Sequence, residues 1–271
     1  MTYSNLMKQM FMASIDELSQ TPENFAVHPD KDFTRNRKIG FHDFLLLLLT
    51  MEDDCLREEL YHFFGRTDET PSKAAFYHQR AKLKDNALWE LLQNYRYVCK
   101  DVPMDFISET STEYLLSLRI VRIVIAPGIY ENLITNLPDI EFDMDDLKEL
   151  YHLRWAQENA YRDLKYPLCL KAFHSKKYTY IVQEVFARAI MHNYCAAISQ
   201  HIELPDRSRK LQYQVNFSEA VKICRDDLRS RTKNNAINIE SLIANNIEAI
   251  RPNRTFRRQA RFKLPMSFCY R

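Results

Sequence analysis

The sequence predicts an α+β protein that is mainly helical, and three observations carry that reading. Apolar residues recur at helical spacing through most of the chain. Gly40, Gly65 and Gly128 are the three glycines in 271 residues, where average usage gives about 19. A many-stranded sheet needs more tight, positive-φ connections than three glycines serve. One β-branched run, Glu113 to Ala126, leads into Pro127-Gly128 and a second run from Ile129 to Leu137, which marks a single hairpin.

Taken in order, residues 1–20 read as an amphipathic helix with Leu6, Met10, Ile15 and Leu18 among its apolar positions. Thr21 to Lys38 is a polar connection carrying Pro22 and Pro29. Phe41 to Met51 is strongly apolar and helical, and Glu52 to Phe64 follows with Leu56, Leu60 and Phe63 at helical spacing. Thr70-Pro71-Ser72 is a helix start for a segment reaching Lys84, and Asn86 to Tyr95 continues the pattern. Beyond the hairpin, helices are expected at 145–166, at 178–201 with Ile181, Val185, Ala189 and Tyr194 near one face, at 213–232 and at 239–250. The expected division is a helical N-terminal domain over 1–100, a middle region over 101–205 and a helical, basic region over 206–271.

Composition narrows the function classes. A 46% apolar and 27% charged chain is globular, not disordered. With 38 basic against 36 acidic residues, overall charge does not announce a nucleic-acid partner. Six cysteines without a Cys-x-x-Cys pair argue against a zinc site or disulfide framework and for reduced thiols in a cytoplasm. The longest greasy run, Phe44 to Leu49, is far below the ~20 residues that span a bilayer, so no membrane partner is expected.

Local chemistry concentrates between residues 145 and 166. Tyr151, Arg154, Glu158 and Lys165 fall within about 60° of one another on a helix of 3.6 residues per turn. Leu150, Leu153, Ala156, Ala160 and Leu164 lie on a different face, which is expected to be buried while the four polar residues share an exposed one. Asp143 with Asp146 suits an N-terminal cap, and Pro167 stops the run. At the other end of the chain, Arg251 to Arg271 carries seven basic residues and no acidic one, with Phe256 and Phe262 interleaved. Such a stretch is either a solvated tail or a phosphate-binding arm presenting Arg254, Arg257, Arg258 and Arg261. Arg207, Arg209 and Lys210 form a second basic cluster open to the same two readings.

Tyr-x2-Arg-x3-Glu-x6-Lys, with Leu133 to Pro138 before it and Phe173-His-Ser-Lys-Lys177 and Gln183-Glu-Val-Phe-Ala-Arg188 after it, resembles the insertion sequence 4 family of bacterial DDE transposases. Phe63-Phe64-Gly65 to Gln79-Arg80-Ala-Lys82 resembles that family's N-terminal part, so the likeness covers most of the chain. The resemblance implies DNA transposition by recombination at transposon ends, on an RNase H-like core where three carboxylates hold two Mg2+ ions. Carried over residue by residue, Glu158 is the catalytic and metal-binding carboxylate, and Tyr151, Arg154 and Lys165 contact DNA. Trp155 suits either stacking on DNA or packing. His174, with Lys176 and Lys177, is expected at a DNA contact or a surface loop.

The chain departs from the family at the other two carboxylates. The family's first aspartate stands in Asp-Gly-Ser and its second in Asp-Arg-Gly-Tyr; no Asp-Gly occurs here, and Asp206-Arg207 is followed by Ser208. Asp101 and Asp105 lie where the intervening section is missing and are poor replacements. The expectation is therefore a truncated transposase, inactive alone, whose C-terminal helices are the remnant of the RNase H-like domain. It would bind DNA in a bacterial cytoplasm near the nucleoid, as a homodimer or paired with intact transposase. The rival readings are a regulatory protein acting through that pairing and a non-functional remnant.

Overall fold

The computed structural model of the chain describes residues 2–35, 37–94, 118–204, 212–230, 238–250 and 267–268. It is mainly helical with small β elements, as the periodicity predicts. Five helices come first: α1 (Tyr3–Gln20), α2 (Phe41–Thr50), α3 (Leu56–Phe64), α4 (Lys73–Arg80) and α5 (Asn86–Asn94). The hairpin strands β1 (Arg119–Ala126) and β2 (Ile129–Thr135) precede α6 (Met144–Lys165), a short β3 (Ala172–Phe173) and α7 (Tyr178–Gln200). β4 (Tyr213–Val215), α8 (Phe217–Arg229), α9 (Ile239–Asn245), β5 (Ile247–Ala249) and β6 (Ser267–Phe268) complete the described chain.

The chain divides into two compact units, one of residues 1–96 with 162–271 and the other of residues 97–161. Packing thus groups residues differently from the division along the sequence, because the N-terminal and C-terminal helices share one core. At the centre of the first unit is α2, whose residues Phe44 to Thr50 are all buried. A helix apolar on every face is stable only when surrounded; α1, α7 and α8 pack against it. Phe11 on α1 meets Tyr194 on α7 at a ring separation of 4.8 Å, and Phe44 meets Phe76 on α4 at 5.5 Å. The helix starts are capped by side chains: Thr2 accepts from the Asn5 N–H, Ser72 from Ala75, Asn216 from Glu219 and Asn238 from Ser241.

Several elements differ in detail from the sequence reading. α1 turns Met7, Phe11, Ile15 and Leu18 inward and leaves Leu6 and Met10 exposed. Residues 52–55 stay outside α3, since the Glu59 carboxylate accepts the N–H groups of Glu52 and Asp54 and holds the chain in a turn. The helix expected over 213–232 begins only at Phe217, and the one over 239–250 ends at Asn245. The flanking residues instead form an antiparallel pair, Tyr213 opposite Ala249 and Val215 opposite Ile247. Here the inter-strand ladder, invisible to a local reading, outcompetes helical spacing.

In the second unit β1 and β2 pair antiparallel, with Ile120 opposite Ile134 and Arg122 opposite Asn132. Gly128 takes a φ of 77° in the turn, a conformation open to glycine. Alternation gives the hairpin two faces. Ile123 is buried, while Ile120, Val124, Tyr130 and Ile134 are exposed on the opposite face.

Candidate functional site

The signature helix α6 is fixed at its start by reciprocal capping. The Asp143 carboxylate accepts the N–H groups of Asp145 and Asp146 at 2.8 and 2.9 Å, and the Asp146 carboxylate accepts the Asp143 N–H at 3.0 Å. Those backbone donors hold the Asp143 carboxyl below its usual pKa. At the other end Pro167 stops the helix, the Leu170 N–H returns to the Leu164 carbonyl at 2.9 Å, and Cys169 adopts a φ of 61°.

One unbroken helix therefore carries all four signature positions. Glu158 and Lys165 are exposed, and the Lys165 ammonium lies 5.5 Å from the Tyr166 ring centroid. Arg154 and Trp155 lie on the same helix, and their side chains fall outside the described residues. Tyr151 departs from the expected exposed face and is buried. The buried strip of the helix in this unit runs through Leu147 and Tyr151, one turn apart, and not through Leu150 and Leu153, which are 41% and 68% exposed. A helix in a unit this small buries one narrow strip, and its rotation about its own axis is set by tertiary contact, not by apolar spacing. Leu164, near the far end, packs against the core of the first unit.

The remaining candidates divide plainly. Arg254, Arg257, Arg258 and Arg261, the Arg207 to Lys210 cluster, and Asp101 and Asp105 lie outside the described residues. Among the described residues no three His, Cys, Asp or Glu side chains converge to hold a metal ion. A Mg2+ pair needs several converging oxygen ligands, and among the described residues Glu158 has no such set around it.

His174 lies in the interior. Expected at a surface or a DNA contact, it is fully buried, while Lys176 and Lys177 beside it are exposed. Its Nδ1 lies 3.3 Å from the Glu184 carboxylate and its Nε2 lies 3.0 Å from the Asp54 carbonyl oxygen. Both ring nitrogens face acceptors, which favours the doubly protonated imidazolium. Burial pushes its pKa down, but the bond to Glu184 and the Glu59 carboxylate 3.7 Å from Nε2 outweigh that and hold it above the usual value.

Around His174, three segments that resemble the transposase family meet. Arg80 of α4, fully buried, donates from Nε to Gln183 at 3.1 Å and from Nη2 to Glu184 at 2.8 Å and to the Tyr180 carbonyl at 2.7 Å. Glu184 is pulled to a pKa of about 2; burial opposes the shift, and the His174 bond and the Arg80 charge overcome it. Arg188, one turn along α7, donates to the carbonyls of Met51 and Glu52, which gives the C-terminal end of α2 charged partners. Of Ile181, Val185, Ala189 and Tyr194, which spacing sets near one face of α7, Tyr194 is buried and Val185 is exposed, while Gln183, Glu184 and Arg188 are buried as well. Helical spacing of these polar residues in register with Ala187, Ile190 and Met191 was the available signal, and it lacks meaning until Arg80 is known to lie opposite.

No helix among the described residues is long and apolar enough to cross a membrane. No curated protein and no solved structure matches the chain. A family model described as Transposase DDE domain matches residues 8–194, more than half of the chain. With that match spanning the buried cluster and the signature helix alike, the chain belongs to the DDE transposase domain family.

Proposed function

We propose that this chain is a member of the insertion sequence 4 branch that binds the DNA of transposon ends and does not cut it unaided. The supporting observation is α6, a single capped helix bearing Tyr151, Arg154, Glu158 and Lys165, with Glu158 and Lys165 exposed. Arg154 and Lys165 then contact phosphates, Trp155 stacks or packs beside them, and Arg254, Arg257, Arg258 and Arg261 extend the contact as a basic arm. Glu158 is the survivor of a carboxylate triad whose other members stood in the segment this chain lacks. In cut-and-paste recombination by an intact relative, the same residues would serve a Mg2+-dependent strand transfer in the bacterial nucleoid.

Salt dependence of binding tests this reading. Each phosphate contact contributes about −0.9 to the slope of log K against log salt on duplex DNA. Arg154→Ala and Lys165→Ala are each expected to flatten the slope by about one, and removal of residues 251–271 by several, with equal effect on all sequences. Unchanged slopes in the double substitution and the truncation together would end the reading. Mg2+ or Mn2+ is expected to support no cleavage or joining of any end sequence. Nicking that disappears in Glu158→Ala would reveal a replacement metal site.

A second reading, pairing with an intact transposase or with another copy, is favoured by the exposed apolar face of the hairpin. Ile120, Val124, Tyr130 and Ile134 lie there, and Ile120 is 73% exposed. Co-purification with an intact relative that is lost in Ile120→Lys/Ile134→Lys would support it.

A further inference from the structure

We infer that Lys31, Arg35 and Arg37, on the connection held against α4, form with Lys82 a second phosphate-binding surface that takes the backbone of a nucleic-acid strand. It is independent of the signature helix and of the basic arm, and the sequence alone marks it only as a polar connection.

The loop is fastened at both ends and in the middle. The Val27 N–H donates to the Lys82 carbonyl and the Lys84 N–H to the Phe25 carbonyl, both at 2.8 Å, around a bridge between Ala26 and Leu83. The buried Asp32 carboxylate accepts the His28 N–H at 2.9 Å. Phe33, at a φ of 58°, sets its ring edge-on to Phe41 at 5.1 Å. From α4, the buried Gln79 side-chain amide donates to the Ile39 carbonyl. A non-glycine residue in the left-handed region is strained and persists where its surroundings over-determine it.

This fastening leaves Lys31, Arg35 and Arg37 exposed around two adjoining clefts of about 610 and 310 Å³, which share Arg37, Gln79 and Lys82. Lys82 is steered by a bond from its ammonium to the Gln79 side-chain oxygen at 2.7 Å and lies 5.8 Å from the Phe33 ring centroid. Asp30 is the acidic side chain lining the smaller cleft. Lys38 pairs with Glu69 at 3.2 Å and is not counted toward the site. Four cations on a pre-ordered frame, facing one carboxylate, match a polyanion whose charges are spaced along a track. Ordering the loop before binding also reduces the entropy lost on association. The chemistry fits phosphodiester oxygens, which guanidinium and ammonium groups contact without reading sequence.

The test is fluorescence anisotropy of the full chain on a duplex of arbitrary sequence across a salt series, with Lys31→Ala/Arg35→Ala/Arg37→Ala compared with the unaltered chain. The triple variant is expected to flatten the salt slope by about 2–3 and to weaken binding equally on unrelated sequences. Lys31→Arg/Arg35→Lys/Arg37→Lys, which keeps the charge, is expected to restore the slope. This control carries the test should the alanine variant fold poorly, because loss of binding in both triples would overturn the proposal. A slope within about 0.5 of the unaltered chain in the alanine variant would also overturn it. So would loss of binding to phosphatidylserine vesicles with DNA binding unchanged, which would assign the surface to a membrane. Repeating the series in Arg154→Ala/Lys165→Ala separates the two surfaces: a loop effect of the same size there leaves this proposal standing whatever becomes of the signature helix.

Discussion

Arg80 carries its charge with no exposure to solvent, and its whole worth depends on Glu184, Gln183 and the Tyr180 carbonyl. Removing one partner of a buried pair strands the other charge in a low dielectric, at a cost of about 3–5 kcal/mol. Arg80→Ala and Glu184→Ala are each expected to lower the urea unfolding free energy by that amount, and Arg80→Met/Glu184→Leu by much less. His174 adds a pH dependence. Its folded pKa is raised above an ordinary value near 6.5, so its contribution is complete below that pH and is lost as pH rises through the folded pKa. Glu184 acts in the opposite sense: its pKa falls to about 2, so its contribution is complete above the usual carboxylate range and is lost as pH falls toward 2. Urea midpoints are therefore expected to be highest between about pH 5 and 6.5. His174→Gln is expected to remove the decline on the alkaline side and to shrink, without abolishing, the acid one, because the His174 bond and the Arg80 charge together lower the Glu184 pKa.

Helix α6 decides its own start and stop through Asp143, Asp146 and Pro167, but not which way it faces. Leu147 is 3% exposed and Leu153 is 68% exposed, although either suits an apolar stripe. Leu147→Ala is expected to destabilise by about 2–5 kcal/mol. Leu153→Ala is expected to stay within about 0.5 kcal/mol, as an exposed change does. Circular dichroism in urea reads both, and equal costs would show that the helix is seated differently.

Across the molecule, the core of the first unit is built jointly by residues 1–96 and 162–271. Phe11 against Tyr194, and Arg80 against Glu184, are contacts that the N-terminal helices cannot make alone. A fragment of residues 1–96 is expected to unfold without a cooperative transition, and addition of the fragment 162–271 to restore one. Cooperative unfolding of the short fragment by itself would show that the N-terminal helices form an independent domain.

Helix existence was legible in the chain because apolar spacing, Ser72 and Asn238 caps, and Pro167 act within a few residues of where they stand. So was the hairpin, through its β-branched runs and Pro127-Gly128, and so was the family, through Tyr151, Arg154, Glu158 and Lys165 on one helix. What tertiary structure decided was which side chains lose contact with water. His174 went inside because Glu184 and the Asp54 carbonyl lie on either side of its ring, and Tyr151 went inside while Leu153 stayed out. The pairing of β4 with β5 likewise joins residues more than thirty positions apart. Burial and ion pairing are properties of neighbours distant in sequence, and a local pattern holds no record of who those neighbours are.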